Sequence, residues 1–381
     1  QYPAARGHAP ADHLHPQGLK RMNFDLSEEQ QMFVTAVERF AAPIDVPARR
    51  RLRASPGGYD RARWQELAGL GLIALAAGEA AGGLGGAPID LALVAEALGK
   101  ANAPDPLIEL GFLPALLLER GGEAEVLARV IGGETIATFA WTERAQRYSL
   151  TPRATRAEAR GEGFALTGEK TLVMGAGLAD LFIVTAECAG ETACFLVESD
   201  APGLELRPYR LADGSIAGEL RLTRTPARAR LALDAAALGE VAADVRLYAA
   251  AEMVGLGQRL LEDTLAYVKQ REQFGVAIGS FQALQHRLVD CYARAEQARS
   301  MLYRAALTDR ADATAWQRAA AGAKAYISEN VDAIAREAVQ MHGGMGITDE
   351  LAIGHAMKRV LLLARLFGDA DSVLAEYALA A

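Results

Sequence analysis

Residues 244–286 constrain this chain more than any other stretch. Apolar side chains recur at Met253, Leu256, Leu260, Tyr267 and Val268, with Thr264 in the same register. That 3–4 spacing predicts a helix with one buried stripe. Running from Asp244 to about Gln273, it would be ~45 Å long, enough to form the spine of a helical domain. A turn follows at Arg271, Phe274 and Gly275, and Phe281, Gln282, Gln285 and His286 open the next helix.

A chain of 381 residues is too long for one small core, so two or three subdomains are expected. Its 51% apolar and 23% charged residues fit a soluble globular protein. The net charge of −8 argues against broad binding to nucleic acid or anionic membrane and leaves room for a local cationic pocket. Cys188, Cys194 and Cys291 have neither metal spacing nor a disulfide framework, so no metal and a cytoplasmic location are expected. No apolar run approaches the ~18 residues of a membrane span, and no secretory signal is read. Residues 1–21, rich in Pro and His, read as a disordered or appended extension, with Met22 as the natural start.

After Met22, Ser27 can cap a helix whose first turn carries Glu28 and Glu29 and whose stripe is Met32, Phe33 and Val37. Further helices are predicted over Tyr59–Leu70, Pro88–Ala101, Leu107–Glu119 and Glu123–Ile131. The loop EAAGGLGGAP carries Gly83, Gly85 and Gly86, but no strand precedes it, so phosphate binding is a weak reading. Near Thr135 the pattern changes. ATFAW, FALTGEK, LFIVTAE, ACFLVES, LELRPY and GELRLTRT are short, β-rich segments separated by Gly, Asp and Pro. Helical pattern then returns, with Ala315–Met341 and Leu351–Phe367 joining the spine. The predicted fold is mainly α with a central β domain. An N-terminal helical domain covers 22–134, a middle β domain 135–238 and a C-terminal helical bundle 239–381.

The pattern R-x-x-F-G-x-x-I-x-x-F-Q-x-x-Q-H from Arg271 to His286, and Q-x-x-G-G-x-G-x-T from Gln340 to Thr348, resemble two signatures of the acyl-CoA dehydrogenase family. The resemblance runs from Met22 to the chain's end, and EAAGGLGGAP resembles that family's Y-G-G-L-G-G turn. It implies the acyl-CoA dehydrogenase fold, with a C-terminal four-helix bundle, FAD as cofactor, and a cofactor site built across a subunit interface. Glycines let backbone N–H groups approach an anion closely, and a guanidinium fork suits a pyrophosphate. On the family's pattern, Arg271 pairs with the pyrophosphate, Phe274 and Ile278 pack around FAD and Gln282 hydrogen-bonds it. Gln340, Gly343 and Gly344 line its phosphate end. His342 reads as a loop-packing residue. Phe139, Trp141 and Thr142 match the family's strand ending in T-E beside the isoalloxazine ring.

Departures begin at once. The family's P-G-A-G-S is here Arg144-Ala145-Gln146-Arg147-Tyr148, and in LTGEKTLVMGAGLAD Leu172 replaces a Trp and Met174 a Thr. Desaturating an acyl-CoA needs a carboxylate to remove the α-proton while the β-hydrogen leaves as hydride. The family's two positions for that Glu fall on Phe367 and Val245, and neither side chain can take a proton. Arg246 matches a family residue that binds the CoA adenine end. Glu252, on the face of Val245 and ~10 Å along the helix, and Asp369, in FGDADS, are the acids that could stand in. Their structural alternatives are a buried ion pair for Glu252 and a helix cap for Asp369.

WTERAQRYSL, GEKTLVMGAGLAD, FGVAIGSFQALQHR and LARLFGDADSVLAEYALA together resemble the small subunits of pimeloyl-CoA dehydrogenase and its relatives, which lack the Glu and pair with a large subunit that has it. The function this implies is FAD-dependent α,β-dehydrogenation of an acyl-CoA, with dicarboxylyl-CoA as the suggested substrate class. The partners implied are an electron-transfer flavoprotein and a homo- or hetero-oligomer with a large acyl-CoA dehydrogenase subunit. The rival readings are a non-catalytic FAD-holding subunit, a flavin monooxygenase or oxidase on the same fold, and a helical binding module without flavin.

Overall fold

Ser27 opens the first helix as its sequence predicts: its hydroxyl accepts the Gln30 N–H at 3.1 Å, and the Gln30 side chain accepts the Ser27 N–H at 3.0 Å. The computed structural model of the chain describes residues 26–41, 45–144, 146–161 and 163–379, so Met22, the extension over 1–21 and Ala145 lie outside it. Helix α1 spans Glu28–Ala41 and buries Val37, Phe40 and Ala41. Met32, expected in the buried stripe, is exposed instead, because the packed face runs through Val37 to Phe40.

Helices α2 (Val46–Ala54), α3 (Arg61–Gly69), α4 (Pro88–Lys100), α5 (Leu113–Arg120) and α6 (Ala124–Ile131) complete the first unit. The predicted helix over Leu107–Glu119 is two objects, a π-helical turn over Leu107–Phe112 that runs into α5. In the 83–86 loop, Leu84, Gly85 and Gly86 donate their N–H groups to the carbonyls of Ala74, Ala77 and Leu75. Those donors are spent on the turn itself, which is the structural reading of these glycines.

Eight strands follow: β1 (Ala137–Ala140), β2 (Arg156–Arg160), β3 (Gly163–Met174), β4 (Leu181–Cys188), β5 (Glu191–Glu198), β6 (Leu204–Arg210), β7 (Ile216–Ala227) and β8 (Ala229–Leu231). They form one sheet in the order β6-β7-β3-β2-β4-β5-β8, with β1 parallel to β4. The β3–β7 register shifts between Lys170 and Val173, and Leu172 inside that irregularity has φ +50°. A bulge therefore sits where the sequence departs from the family's Trp.

The spine helix α7 covers Ala235–Gln270, 36 residues. It starts nine residues before the predicted Asp244, because Asp234 caps it by accepting the Ala237 N–H at 2.8 Å and an alanine-rich run carries it onward. Met253, Leu256, Leu260, Thr264 and Val268 are buried as their spacing predicts. At the crossing of α4 and α7 two glycines face each other's backbone. A Cβ on Gly99 would stand 2.0 Å from the Glu252 carbonyl oxygen, and one on Gly255 1.9 Å from that of Glu96. Only glycine at both positions permits this approach. A small ribbon, β9 (Glu272–Gln273) and β10 (Val276–Ala277), leads to α8 (Gln282–Ala306), α9 (Ala313–His342), α10 (Ala352–Leu363) and α11 (Ala370–Leu379). The last predicted helix ends at Leu363, short of Phe367, which lies in the turn that follows. Among the described residues no helix is long and apolar enough to cross a membrane.

Candidate active site

β1 ends beside the turn between α10 and α11, and a cleft of about 120 Å³ opens there. Leu113, Thr138, Phe139, Trp141, Thr142, Leu172, Met174 and Phe367 line it, with Glu109 among the lining residues and Arg147, Tyr148 and Arg365 beside them. Phe139, Trp141 and Thr142, three residues chosen from sequence, are thus brought together. The Phe367 ring stacks on Trp141 at 5.0 Å and 27°, and lies nearly parallel to Phe139 at 6.5 Å and 8°. Thr138 donates to the Met174 carbonyl at 2.5 Å, tying β1 to β3, whereas the Thr142 hydroxyl makes no hydrogen bond among the described residues.

The turn carrying Phe367 is held against its own preference. Phe367 has φ +55°, an outlier for a bulky side chain that persists only where its surroundings impose it. Two buried cations do so. Arg246 donates to the Phe367 carbonyl at 2.8 Å and grips Glu376 with both terminal nitrogens. Lys324 donates to the carbonyls of Leu363 at 2.8 Å and Gly368 at 3.3 Å. Arg246 also lines a second cleft, of about 290 Å³, with Tyr148, Gln317, Arg318 and Glu376.

The loop over the cleft is anchored from below. Buried Glu143 accepts the N–H groups of Arg153, Ala154 and Thr155 at 2.8, 2.7 and 3.1 Å, and the Lys170 ammonium at 2.8 Å. Burial alone would raise the Glu143 pKa. Lys170 and the backbone donors reverse this and hold it at about 2.

Of the two candidate bases, Glu252 does not line the cleft. Both its oxygens are bonded to buried Arg359, at 2.6 and 2.9 Å, so it sits in an ion pair. Burial pushes its pKa up, Arg359 opposes, and Glu109 and Asp213 add to the rise. Asp369 caps α11 by accepting the Ser372 N–H at 2.9 Å, and Tyr148 donates to it at 3.2 Å. Although burial raises its pKa, bonds from Ser372 and Tyr148 hold it below the ordinary aspartate value. Val245 is fully buried. Sequence reasoning missed Glu109, although a lone acid in the apolar run LIELGF is the same signal that singled out Glu252.

The other chosen residues lie apart from the cleft. Arg271, Phe274, Gln282, Gln340, Gly343 and Gly344 are exposed and Ile278 is half-buried. Stacking of Tyr267 on His342 at 4.2 Å holds the end of α7 to the end of α9, so the Arg271 turn and the Gly343 loop neighbour each other. His342 also bonds the Ala338 carbonyl at 2.8 Å, which is loop packing. Phe274 is 92% exposed with φ +54°, and Val276, Phe281, Met345 and Ile347 add exposed apolar surface. Arg271 makes no side-chain hydrogen bond or ion pair among the described residues, and a Cβ at Gly343 or Gly344 would meet nothing within 4 Å. This surface offers a free guanidinium and an open glycine loop to an anion; the cleft offers aromatic walls to a flat ring. Both fit FAD, at opposite ends.

Three families match in chain order: acyl-CoA dehydrogenase, N-terminal domain, over residues 27–134, middle domain over 138–225 and C-terminal domain over 236–376. The chain is 32% identical over 348 residues to the acyl-CoA dehydrogenase IpdE2 of Mycolicibacterium smegmatis, covering 90% of this chain and 96% of that one. It superposes on the ChsE4-ChsE5 complex from Mycobacterium tuberculosis with a TM-score of 0.83 at 28% identity, covering 94% of this chain and 98% of that one. It also superposes on the FAD complex of PigA with a TM-score of 0.82 at 27% identity, over 94% and 98%. With all three domains matched in order and a relative 32% identical over nine-tenths of the chain, the chain belongs to the acyl-CoA dehydrogenase family of FAD-dependent oxidoreductases.

Proposed function

We propose that the chain is the small subunit of a heteromeric acyl-CoA dehydrogenase, and that a large subunit supplies the base for α,β-dehydrogenation of the thioester. The observation that carries this reading is Phe367. At the family's late base position stands an aromatic ring stacked on Trp141, while Glu252 and Asp369 are committed to an ion pair and a helix cap. The ChsE4-ChsE5 complex is a relative built from two chains, which supports the same arrangement.

Bound FAD would supply the acceptor for the β-hydrogen. Phe139 and Trp141 would wall its ring and exclude water, and the free Thr142 hydroxyl would orient it. Arg271, Gln340, Gly343 and Gly344, with Phe274, Ile278 and Gln282 beside them, would hold an FAD pyrophosphate at the subunit interface. Arg246 lies along the CoA path, in the second cleft, and also braces the Phe367 turn. Electrons pass on to an electron-transfer flavoprotein.

Anaerobic spectra test this. The chain alone, loaded with FAD, should stay yellow with every saturated acyl-CoA, while its complex with a base-bearing large subunit should bleach. Bleaching of the chain alone would overturn the missing-base reading.

A further inference from the structure

The cleft beside Phe367 keeps the form of a ligand site although it lacks the base. Its outer end carries two exposed arginines: Arg147, which stands 3.8 Å from Asp369, and Arg365, which makes no ion pair among the described residues. Its walls are Phe139, Trp141, Leu172, Met174 and Phe367. Its inner end is buried and holds a carboxylate, Glu109, which is 2% exposed and sits on a π-helical turn, a local irregularity that recurs at functional positions.

Among the described residues Glu109 bonds one cation, and that cation is shared. Arg359 donates to Glu109 at 2.7 and 3.3 Å, to Glu252 at 2.6 and 2.9 Å, and stands 3.6 Å from Asp213. Three carboxylates thus share one guanidinium in that contact shell. Two further cations stand beyond that shell on the Asp213 side: Arg53 donates to the Asp213 carbonyl, buried Arg49 feels the charges of Asp213 and Arg359, and neither bonds Glu109 among the described residues. Each carboxylate oxygen accepts along two lone-pair directions, and Arg359 takes one on each Glu109 oxygen. Acceptor capacity remains at the end of an apolar tube, where a second anion is disfavoured.

We propose that this cleft is an acyl-thioester binding site whose buried Glu109 selects ligands with a cation or hydrogen-bond donor at the far end of the acyl chain. The proposal rests on the reading that the chain binds thioesters without deprotonating them. The anionic CoA end lies at Arg365, the methylenes run past Leu113 and Phe367 on the side away from the flavin walls Phe139 and Trp141, and the distal donor meets Glu109. A dicarboxylyl chain places its second carboxylate against three others and is rejected.

Three six-carbon ligands decide it: hexanoyl-CoA, 6-aminohexanoyl-CoA and adipoyl-CoA, titrated calorimetrically into the full-length chain. The amino ligand should bind about tenfold tighter than hexanoyl-CoA, the worth of one charge-assisted hydrogen bond, and adipoyl-CoA weakest. Glu109→Gln should erase the preference for the amino ligand and bring adipoyl-CoA to the level of hexanoyl-CoA. Should that variant misfold, the wild-type order alone decides. Equal affinities, a preference for adipoyl-CoA, or no binding of any ligand would overturn the proposal. Bleaching of the flavin by hexanoyl-CoA in the same samples is a separate outcome, and it would overturn the missing-base reading.

Discussion

The cleft beside Phe367 and the surface around Arg271 are built by opposite means. The cleft is internal: Phe367, Trp141 and Phe139 stack on one another, Thr138 ties β1 to β3, and buried ions fix the turn and the loop around them. The Arg271 region is a surface, where Phe274 is 92% exposed, Arg271 is free of partners among the described residues and the glycine loop faces open space. Five large apolar side chains, Phe274, Val276, Phe281, Met345 and Ile347, lie in water on this surface, the mark of an interaction site. Substitutions in the cleft should therefore act on the fold first, and those on the Arg271 surface on assembly and cofactor retention.

Glu143→Ala should give the largest effect. It strips the partner from fully buried Lys170 and leaves the N–H groups of Arg153, Ala154 and Thr155 without their acceptor. Breaking a buried ion pair at one partner costs about 3–5 kcal/mol, readable as a lowered denaturant midpoint. Because Glu143 titrates at about 2 when folded against 4.5 ordinarily, its contribution is complete above pH 4.5 and lost as pH falls toward 2. The variant should lack that acid limb. An unchanged midpoint would mean the loop over the cleft is held by something else.

Lys324 tests the same cleft in a different pH window, and there too stability rises with pH. Burial first, then the charge of Arg246, lowers its pKa from 10.5 to about 7, with Asp369 opposing. Between those values the unfolded state holds a proton that the folded state has released. Stability therefore rises with pH from 7 to 10.5, by up to ~1.4 kcal/mol per unit. Lys324→Met should flatten that slope, and it should loosen the Phe367 turn, seen as a change in Trp141 fluorescence. A slope identical in both proteins would show that the ammonium is not the group that titrates.

Much of this was legible because the core follows its periodicities. The α7 stripe and the strands from ATFAW to GELRLTRT follow from pattern. What escaped is polar. Helix α2, VPARRRLRA, turns Arg49 inward among charges, so no apolar period marks it. Strand β2, RAEAR, buries only Ala157. The Glu109–Arg359–Glu252 cluster joins residues up to 250 positions apart, and no local spacing announces it. Counting along the motifs located Phe367, but its stacking on Trp141 and its left-handed backbone belong to tertiary structure alone.

The smallest effect on the fold belongs on the Arg271 surface, and there it separates the two regions most cleanly. Arg271 is an exposed cation just past the end of α7, with no described hydrogen bond or ion pair to lose, so Arg271→Ala should shift stability by no more than about 0.5 kcal/mol. Its guanidinium is nevertheless the one side chain there that can meet a pyrophosphate with a fork of donors. Purified with its partner, the variant should therefore keep its unfolding midpoint and lose bound FAD, read from the 450 nm absorbance per chain. Lost stability with retained flavin would invert the comparison and make the Arg271 turn a structural element. Flavin retained at wild-type stability would move the phosphate site away from Arg271 altogether, leaving the exposed apolar surface to assembly alone.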